Sequence, residues 1–123
     1  MSDKKVLVVD DEPSIRNTTA LLLRTKGWTA TQASNGQEAL EKLTQEVFDL
    51  VVTDVIMPGA TGVEVYKYAR ANGLQMPFVF MSGYTFDTER AVREIVENNH
   101  ARFLQKPFRI VDLYAIAEEL QPR

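Results

Sequence analysis

The sequence predicts an α/β domain built on a parallel sheet with helices on both faces. Three observations carry this. The runs Val6-Leu7-Val8-Val9, Leu50-Val51-Val52 and Phe78-Val79-Phe80-Met81 are apolar at every position rather than at alternate ones. A strand written that way is buried on both faces, as strands of a parallel sheet are. Between such runs lie stretches with apolar residues at helical spacing, giving five strands alternating with five helices. That alternation implies parallel strands joined by right-handed crossovers.

In chain order, Val6–Val9 ends at once in Asp10-Asp11-Glu12-Pro13. Pro13 suits the first turn of a helix, and the acids before it complement the helix dipole. Ile15, Thr19, Leu22 and Leu23 repeat at helical spacing, and Gly27 is a stop signal. Trp28 to Ala33 carries Thr and Gln among its apolar residues and reads as an edge strand. Asn35-Gly36 reads as a turn, and Ala39, Leu40, Leu43 and Val47 as the apolar face of a second helix. The third strand runs from Leu50 to Asp54, closed by Pro58-Gly59. Thr61 and Glu64 have capping-box spacing for a helix over about 62–72, ended by Gly73. Phe78–Met81, with Pro77 just ahead, is the fourth strand and stops at Ser82-Gly83. Ala91, Val92, Ile95 and Val96 mark a helix closing near Asn98-Asn99. Ala101–Gln105 is the fifth strand, ending at Lys106-Pro107, and Ile110, Leu113, Ala117 and Leu120 define the last helix. The whole chain, 1–123, is expected to be one domain with an ordered core over about 5–120, fraying ahead of Val6 and beyond Leu120.

At 45% hydrophobic and 25% charged, with a formal charge of -3, the composition is that of a globular protein with a substantial core. There is no Lys/Arg cluster, so direct nucleic-acid binding is not expected. The absence of cysteine excludes disulfides, thiolate catalysis and cysteine metal sites. No h-region or membrane-length apolar run is present, which makes a cytoplasmic protein without membrane attachment the default.

The candidate chemistry stands where the strands end: Asp10 and Asp11 after the first, Asp54 on the third, Ser82 on the fourth, Lys106 after the fifth. A parallel sheet puts these ends on one side, where open α/β sheets bind ligands. Carboxylates packed together repel, by about 4 kcal/mol for two unit charges ~4 Å apart at an effective dielectric near 20. One lysine does not balance three acids, so a divalent cation completes the set, and oxygen ligands favour Mg2+. Asp54 can then share the Mg2+ as a ligand and act as a carboxylate nucleophile toward phosphorus, with Lys106 and the Ser82 hydroxyl binding phosphoryl oxygens.

Val8-Val9-Asp10-Asp11-Glu12-Pro13, Thr53-Asp54-Val55-Ile56-Met57-Pro58-Gly59, Met81-Ser82-Gly83 and Lys106-Pro107-Phe108, in that order, resemble the receiver domain of two-component response regulators, such as the chemotaxis regulators. The resemblance covers essentially the whole chain. It implies a doubly wound (βα)5, flavodoxin-like sheet with strand order 2-1-3-4-5. It implies that Asp54 is the phosphoacceptor, charged by a histidine kinase or histidine phosphotransfer protein in a phosphorelay. It further implies that Asp11 binds Mg2+ directly and Asp10 mainly through water, that the Ile56 backbone carbonyl is a ligand, and that Ser82 and Lys106 bind the phosphoryl group. Phe103 falls at the aromatic switch position, moving with Ser82, although an aromatic on a strand is ordinarily packing. The Lys106-Pro107 bond is usually cis in the family. Ile56 and Tyr84, where the family tunes hydrolysis, are bulky and carry no carboxylate or carboxamide to orient an attacking water, which implies slow self-dephosphorylation. The implied output is a protein target or fused output domain docking on the surface of the fourth helix, fifth strand and last helix, in a signalling switch rather than an enzyme. The stretch Phe80 to Thr85 is similar to receivers attached to hybrid kinases.

Other readings stay open at this stage. A haloacid-dehalogenase-type phosphatase would carry a second acid at Ile56 and needs a cap. A receiver-like module that is never phosphorylated would lack an acid or the lysine. A flavodoxin-like cofactor site would not place acids after Val9. His100, the single histidine, reads as a surface residue, and Glu12 as a helix-start charge.

Overall fold

A computed structural model describes residues 4–83, 86–98 and 101–122, with residues 86–89 and 98 described by backbone alone. Tyr84, Asn99 and His100 lie outside the described residues. The elements are β1 (Lys4–Val9), α1 (Pro13–Arg24), β2 (Trp28–Ala33), α2 (Gly36–Gln45), β3 (Leu50–Asp54), α3 (Gly62–Ala71), β4 (Phe78–Ser82), α4 (Phe86–Asn98), β5 (Ala101–Gln105) and α5 (Ile110–Leu120). The strands form one parallel sheet in the order β2-β1-β3-β4-β5. The flavodoxin-like reading and the position of β2 at an edge both hold.

The all-apolar runs are buried on both faces, and the sheet divides two cores. Leu7, Val9, Val51, Phe78 and Phe80 face α2, α3 and α4. Val6, Val8, Leu50, Val52, Val79 and Met81 face α1 and α5. Phe78 and Phe80 are both fully buried, with Tyr66 of α3 set edge-on to each at 5.2 and 5.8 Å between ring centroids. Helix ends follow local chemistry. Thr61 and Glu64 make the capping box, with Glu64 Oε1 accepting from Thr61 N at 2.9 Å and Thr61 Oγ1 accepting from Glu64 N at 3.2 Å. Gly27 and Gly73 close their helices at φ +91° and +77°, the left-handed region that favours glycine.

Three expectations are corrected. Asn35 is the N-cap of α2, its side chain accepting from Glu38 N at 2.8 Å, so Asn35-Gly36 opens a helix instead of forming a separate turn. Val47 lies beyond the end of α2 and is 78% exposed, while Phe48 fills the core there. The last helix is as expected, α5 starting at Ile110, which is half exposed while Leu113 and Ala117 carry the buried stripe. β1 begins at Lys4, two residues before Val6, with Lys4 Nζ donating to Lys26 O and Gln121 Oε1, both at 3.1 Å.

Candidate functional site

Asp10 follows the last residue of β1 and is fully buried. Its N–H donates to Ala33 O of β2 at 3.1 Å. Its Oδ1 accepts from Glu12 N at 3.0 Å, so the chain turns around the carboxylate before Pro13 starts α1. Its Oδ2 accepts from Lys106 Nζ at 2.7 Å. Asp54, at the last position of β3, has Oδ2 3.2 Å from the same ammonium. Lys106 thus bridges two acids that are 44 residues apart in sequence, as the topology required. Asp11 is exposed on the rim. Carboxylate oxygens of Asp10, Asp11 and Asp54 all lie within 4.8 Å of one another.

The electrostatics follow from that geometry. Burial is the main influence on Asp54 and raises its pKa above the usual carboxylate value, with Asp10 adding repulsion and Lys106 only partly compensating. Burial works against the charged form of Lys106, but hydrogen bonds and charges from Asp10 and Asp54 outweigh it, and the ammonium is held more firmly than an ordinary lysine. Three carboxylates and one ammonium leave two negative charges in the pocket. The donors are hard oxygens, and exposed Asp11 leaves room for retained water. Those features fit Mg2+.

Ser82, the last residue of β4, is buried, and its carbonyl accepts from Lys106 N at 2.8 Å, which ties the ends of β4 and β5 together. The β3–β4 register pairs Asp54 with Met81, placing Ser82 one residue further along the neighbouring strand. Ile56 is in the loop after β3, its side chain half exposed. Tyr84 is outside the described residues. Phe103 of β5 is partly buried opposite Phe80 and, with Val92, Arg93 and Val96, lines a cavity of about 130 Å³. The Lys106-Pro107 bond is cis.

Several supporting residues escaped sequence reasoning. Thr53 is fully buried, its Oγ1 donating to Asp54 O at 2.9 Å. A Cβ on Gly62 would lie 2.4 Å from Asp54 O, so only glycine lets α3 start against the acid's own backbone. The signal was a glycine directly after a cap residue, where better helix formers serve unless space is short. A Cβ on Gly36 would likewise meet Ala60 O at 2.0 Å, fixing the loop after β3 against α2. Arg16 donates through Nη1 to Asp10 O at 3.0 Å, a contact that no periodicity signals.

A family model described as "Response regulator receiver domain" matches residues 6–118. Among curated relatives, the CAI-1 autoinducer sensor kinase/phosphatase CqsS of Vibrio cholerae is 33% identical over 85% of this chain and 16% of its own length. The alkaline phosphatase synthesis transcriptional regulatory protein PhoP of Bacillus subtilis is 35% identical over 86% of this chain and 43% of its own. The chain therefore spans less than half the length of these relatives. Among solved structures, the chemotaxis response regulator CheY4 of Vibrio cholerae superposes with a TM-score of 0.85 at 29% identity, covering 97% of this chain and 99% of that one. The response regulator TrrA of Thermotoga maritima, solved in complex with Mg2+ and BeF, gives 0.80 at 31% identity over 95% and 98%.

Proposed function

The chain belongs to the response regulator receiver domain family of two-component systems, and from that premise we propose that it carries a phosphoryl group on Asp54 as a signalling switch. The observation that supports this most is the convergence of carboxylate oxygens of Asp10, Asp11 and Asp54 within 4.8 Å of one another, with the Lys106 ammonium touching Asp10 and Asp54. In the proposed step an Asp54 carboxylate oxygen attacks phosphorus. The P–N bond of a phosphohistidine donor breaks, its electron pair stays on the imidazole, and an acyl phosphate forms. Asp10, Asp11, Asp54 and the Ile56 backbone carbonyl would hold a Mg2+ ion, which supplies charge neutralisation between the acids and the phosphoryl oxygens when bound. Lys106 then pairs with a phosphoryl oxygen as a point charge, and the Ser82 hydroxyl donates to another. No separate general base is required, because a carboxylate nucleophile carries no proton to remove.

The switch we propose couples Ser82 to Phe103, with the cavity that Phe103 shares with Val92 and Val96 offering space beside the ring. Output follows from a partner that discriminates the two states of the α4-β5-α5 surface. A histidine kinase or histidine phosphotransfer protein would supply the phosphoryl group, and a protein target or fused output domain would read it. We read 1–123 as one domain working in the cytoplasm, and no helix of the described residues is long and apolar enough to cross a membrane. Ile56 and Tyr84 would leave hydrolysis slow.

The test is incubation with phosphoramidate, a small donor with a P–N bond, followed by phosphorus NMR. An acyl-phosphate signal that requires Mg2+ and disappears with EDTA is expected. Consumption of the donor without a protein-bound product, or labelling indifferent to Mg2+, would overturn the proposal.

A further inference from the structure

Asp10 is held at every polar atom, and one of its four supports comes from a side chain that the phosphoryl chemistry does not use. The N–H goes to Ala33 O, Oδ1 takes Glu12 N, Oδ2 takes Lys106 Nζ, and the carbonyl takes Arg16 Nη1 at 3.0 Å. The same guanidinium donates through Nε to Gln32 Oε1 of β2 at 3.1 Å. Arg16 stands in the first turn of α1, half-buried between the acidic turn and the edge strand. Its own N–H donates to Glu12 O at 3.0 Å, so backbone and side chain grip the turn from two sides. Beyond Asp10, the side chains of the turn add only a 3.3 Å hydrogen bond from Ser14 Oγ to Glu12 Oε1 among the described residues. Glu12, the N-cap of α1, makes no side-chain capping bond. Asp11 is exposed, and its carboxylate makes no hydrogen bond or ion pair among the described residues, so the backbone of this turn sets where it points.

We propose that Arg16 is a positioning residue that clamps the Asp10–Pro13 turn to Gln32 of β2 and so sets the pocket's affinity for a divalent cation. The proposal rests on the reading of Asp10, Asp11 and Asp54 as a cation site. Two physical effects of Arg16 have opposite signs, which makes the idea sharp. A guanidinium beside an acidic pocket repels Mg2+, so by Coulomb's law its removal tightens cation binding. A clamp that orients ligands works the other way, because loss of such outer contacts weakens metal affinity by about 10–100-fold. The fork geometry also matters, since arginine satisfies two acceptors at once and a lysine ammonium is a single compact charge.

The experiment is calorimetric titration of Mg2+ into wild type, Arg16→Gln, Arg16→Lys and Gln32→Leu at fixed ionic strength, with amide hydrogen exchange on the metal-free proteins. Arg16→Gln is expected to raise the Mg2+ Kd about tenfold or more and to speed exchange at Asp10 and Glu12, whose N–H groups donate to Ala33 O and Asp10 Oδ1. Arg16→Lys falls between it and wild type. Gln32→Leu, which leaves the acidic turn and the charge intact, moves in the same direction by less. At saturating Mg2+ the phosphoramidate labelling rates of all variants return close to wild type, separating cation binding from chemistry. Unchanged or tighter Mg2+ binding by Arg16→Gln would overturn the clamp, as would full wild-type affinity in Arg16→Lys. Should Arg16→Gln fold poorly by circular dichroism, Arg16→Lys and Gln32→Leu decide the matter, and wild-type affinity in both overturns it. A wild type that binds no Mg2+ removes the reading of the pocket and the clamp together, whereas binding that all variants share removes the clamp alone.

Discussion

Lys106→Met removes the one cation that, among the described residues, touches both Asp10 and Asp54. Separations of 2.7 and 3.2 Å correspond to gross attractions of about 6 and 5 kcal/mol at an effective dielectric near 20. Much of that is offset by taking a largely buried ammonium out of water. Breaking a buried pair by deleting one partner typically costs about 3–5 kcal/mol, since the remaining charge is left uncompensated. Asp54 can relieve part of the strain by taking up a proton, because burial already raises its pKa and the loss of Lys106 removes the influence that lowers it. The lower end, about 3 kcal/mol, is therefore expected at neutral pH. With an m-value of about 2 kcal/mol/M, the urea midpoint in EDTA falls by about 1.5 M. Two further signatures follow. Mg2+ stabilises the variant more than wild type, because it replaces a missing counter-charge. The gap narrows as pH falls toward the range where Asp54 is protonated. Equilibrium urea unfolding followed by far-ultraviolet circular dichroism, at several pH values with EDTA or Mg2+, measures all three. Equal midpoints in EDTA, or a gap that widens in acid, would refute the reasoning.

Asp54→Asn should stabilise the metal-free protein at neutral pH, on the order of 1 kcal/mol. The folded pKa of Asp54 is raised, so this carboxylate favours folding most below about 3.8 and the benefit is lost as pH rises through the folded value. The advantage of the variant in urea midpoints should accordingly shrink to nothing in acid. Gly62→Ala forces a Cβ to 2.4 Å from Asp54 O and should cost about 1–3 kcal/mol while slowing phosphorylation, read by urea midpoint and labelling rate. Ile56→Asn combined with Tyr84→Glu should shorten the acyl-phosphate lifetime by about tenfold or more, since both add groups that orient an attacking water, and unchanged decay by phosphorus NMR would remove the slow-hydrolysis reading.

The parts of this molecule that were legible in the sequence are those where one physical requirement acts alone. Val6–Val9 and Leu50–Val52 are apolar throughout because both sheet faces are covered, and Thr61 with Glu64 announces a helix start by spacing alone. The acids and Lys106 were legible because parallel topology gathers strand ends, and the structure joins Lys106 to Asp10 and Asp54 directly. Residues with two possible duties were not. Val47 has helical spacing from Leu43, but α2 stops at Gln45 and Phe48 takes the core position. Ile110 has the right phase for α5 yet sits in its first turn and stays half exposed, while Leu113 and Ala117 take the buried stripe. Arg16, Thr53 and Gly62 act through backbone atoms of Asp10 and Asp54, and such contacts leave no periodic trace.

The most direct measurement is intact mass after incubation with acetyl phosphate and Mg2+, for wild type and Asp54→Asn side by side. One added phosphoryl group on wild type, mapped to the Asp54 peptide, with the variant unmodified, is the predicted result. Equal modification of both proteins, or none on wild type at saturating Mg2+, would contradict it.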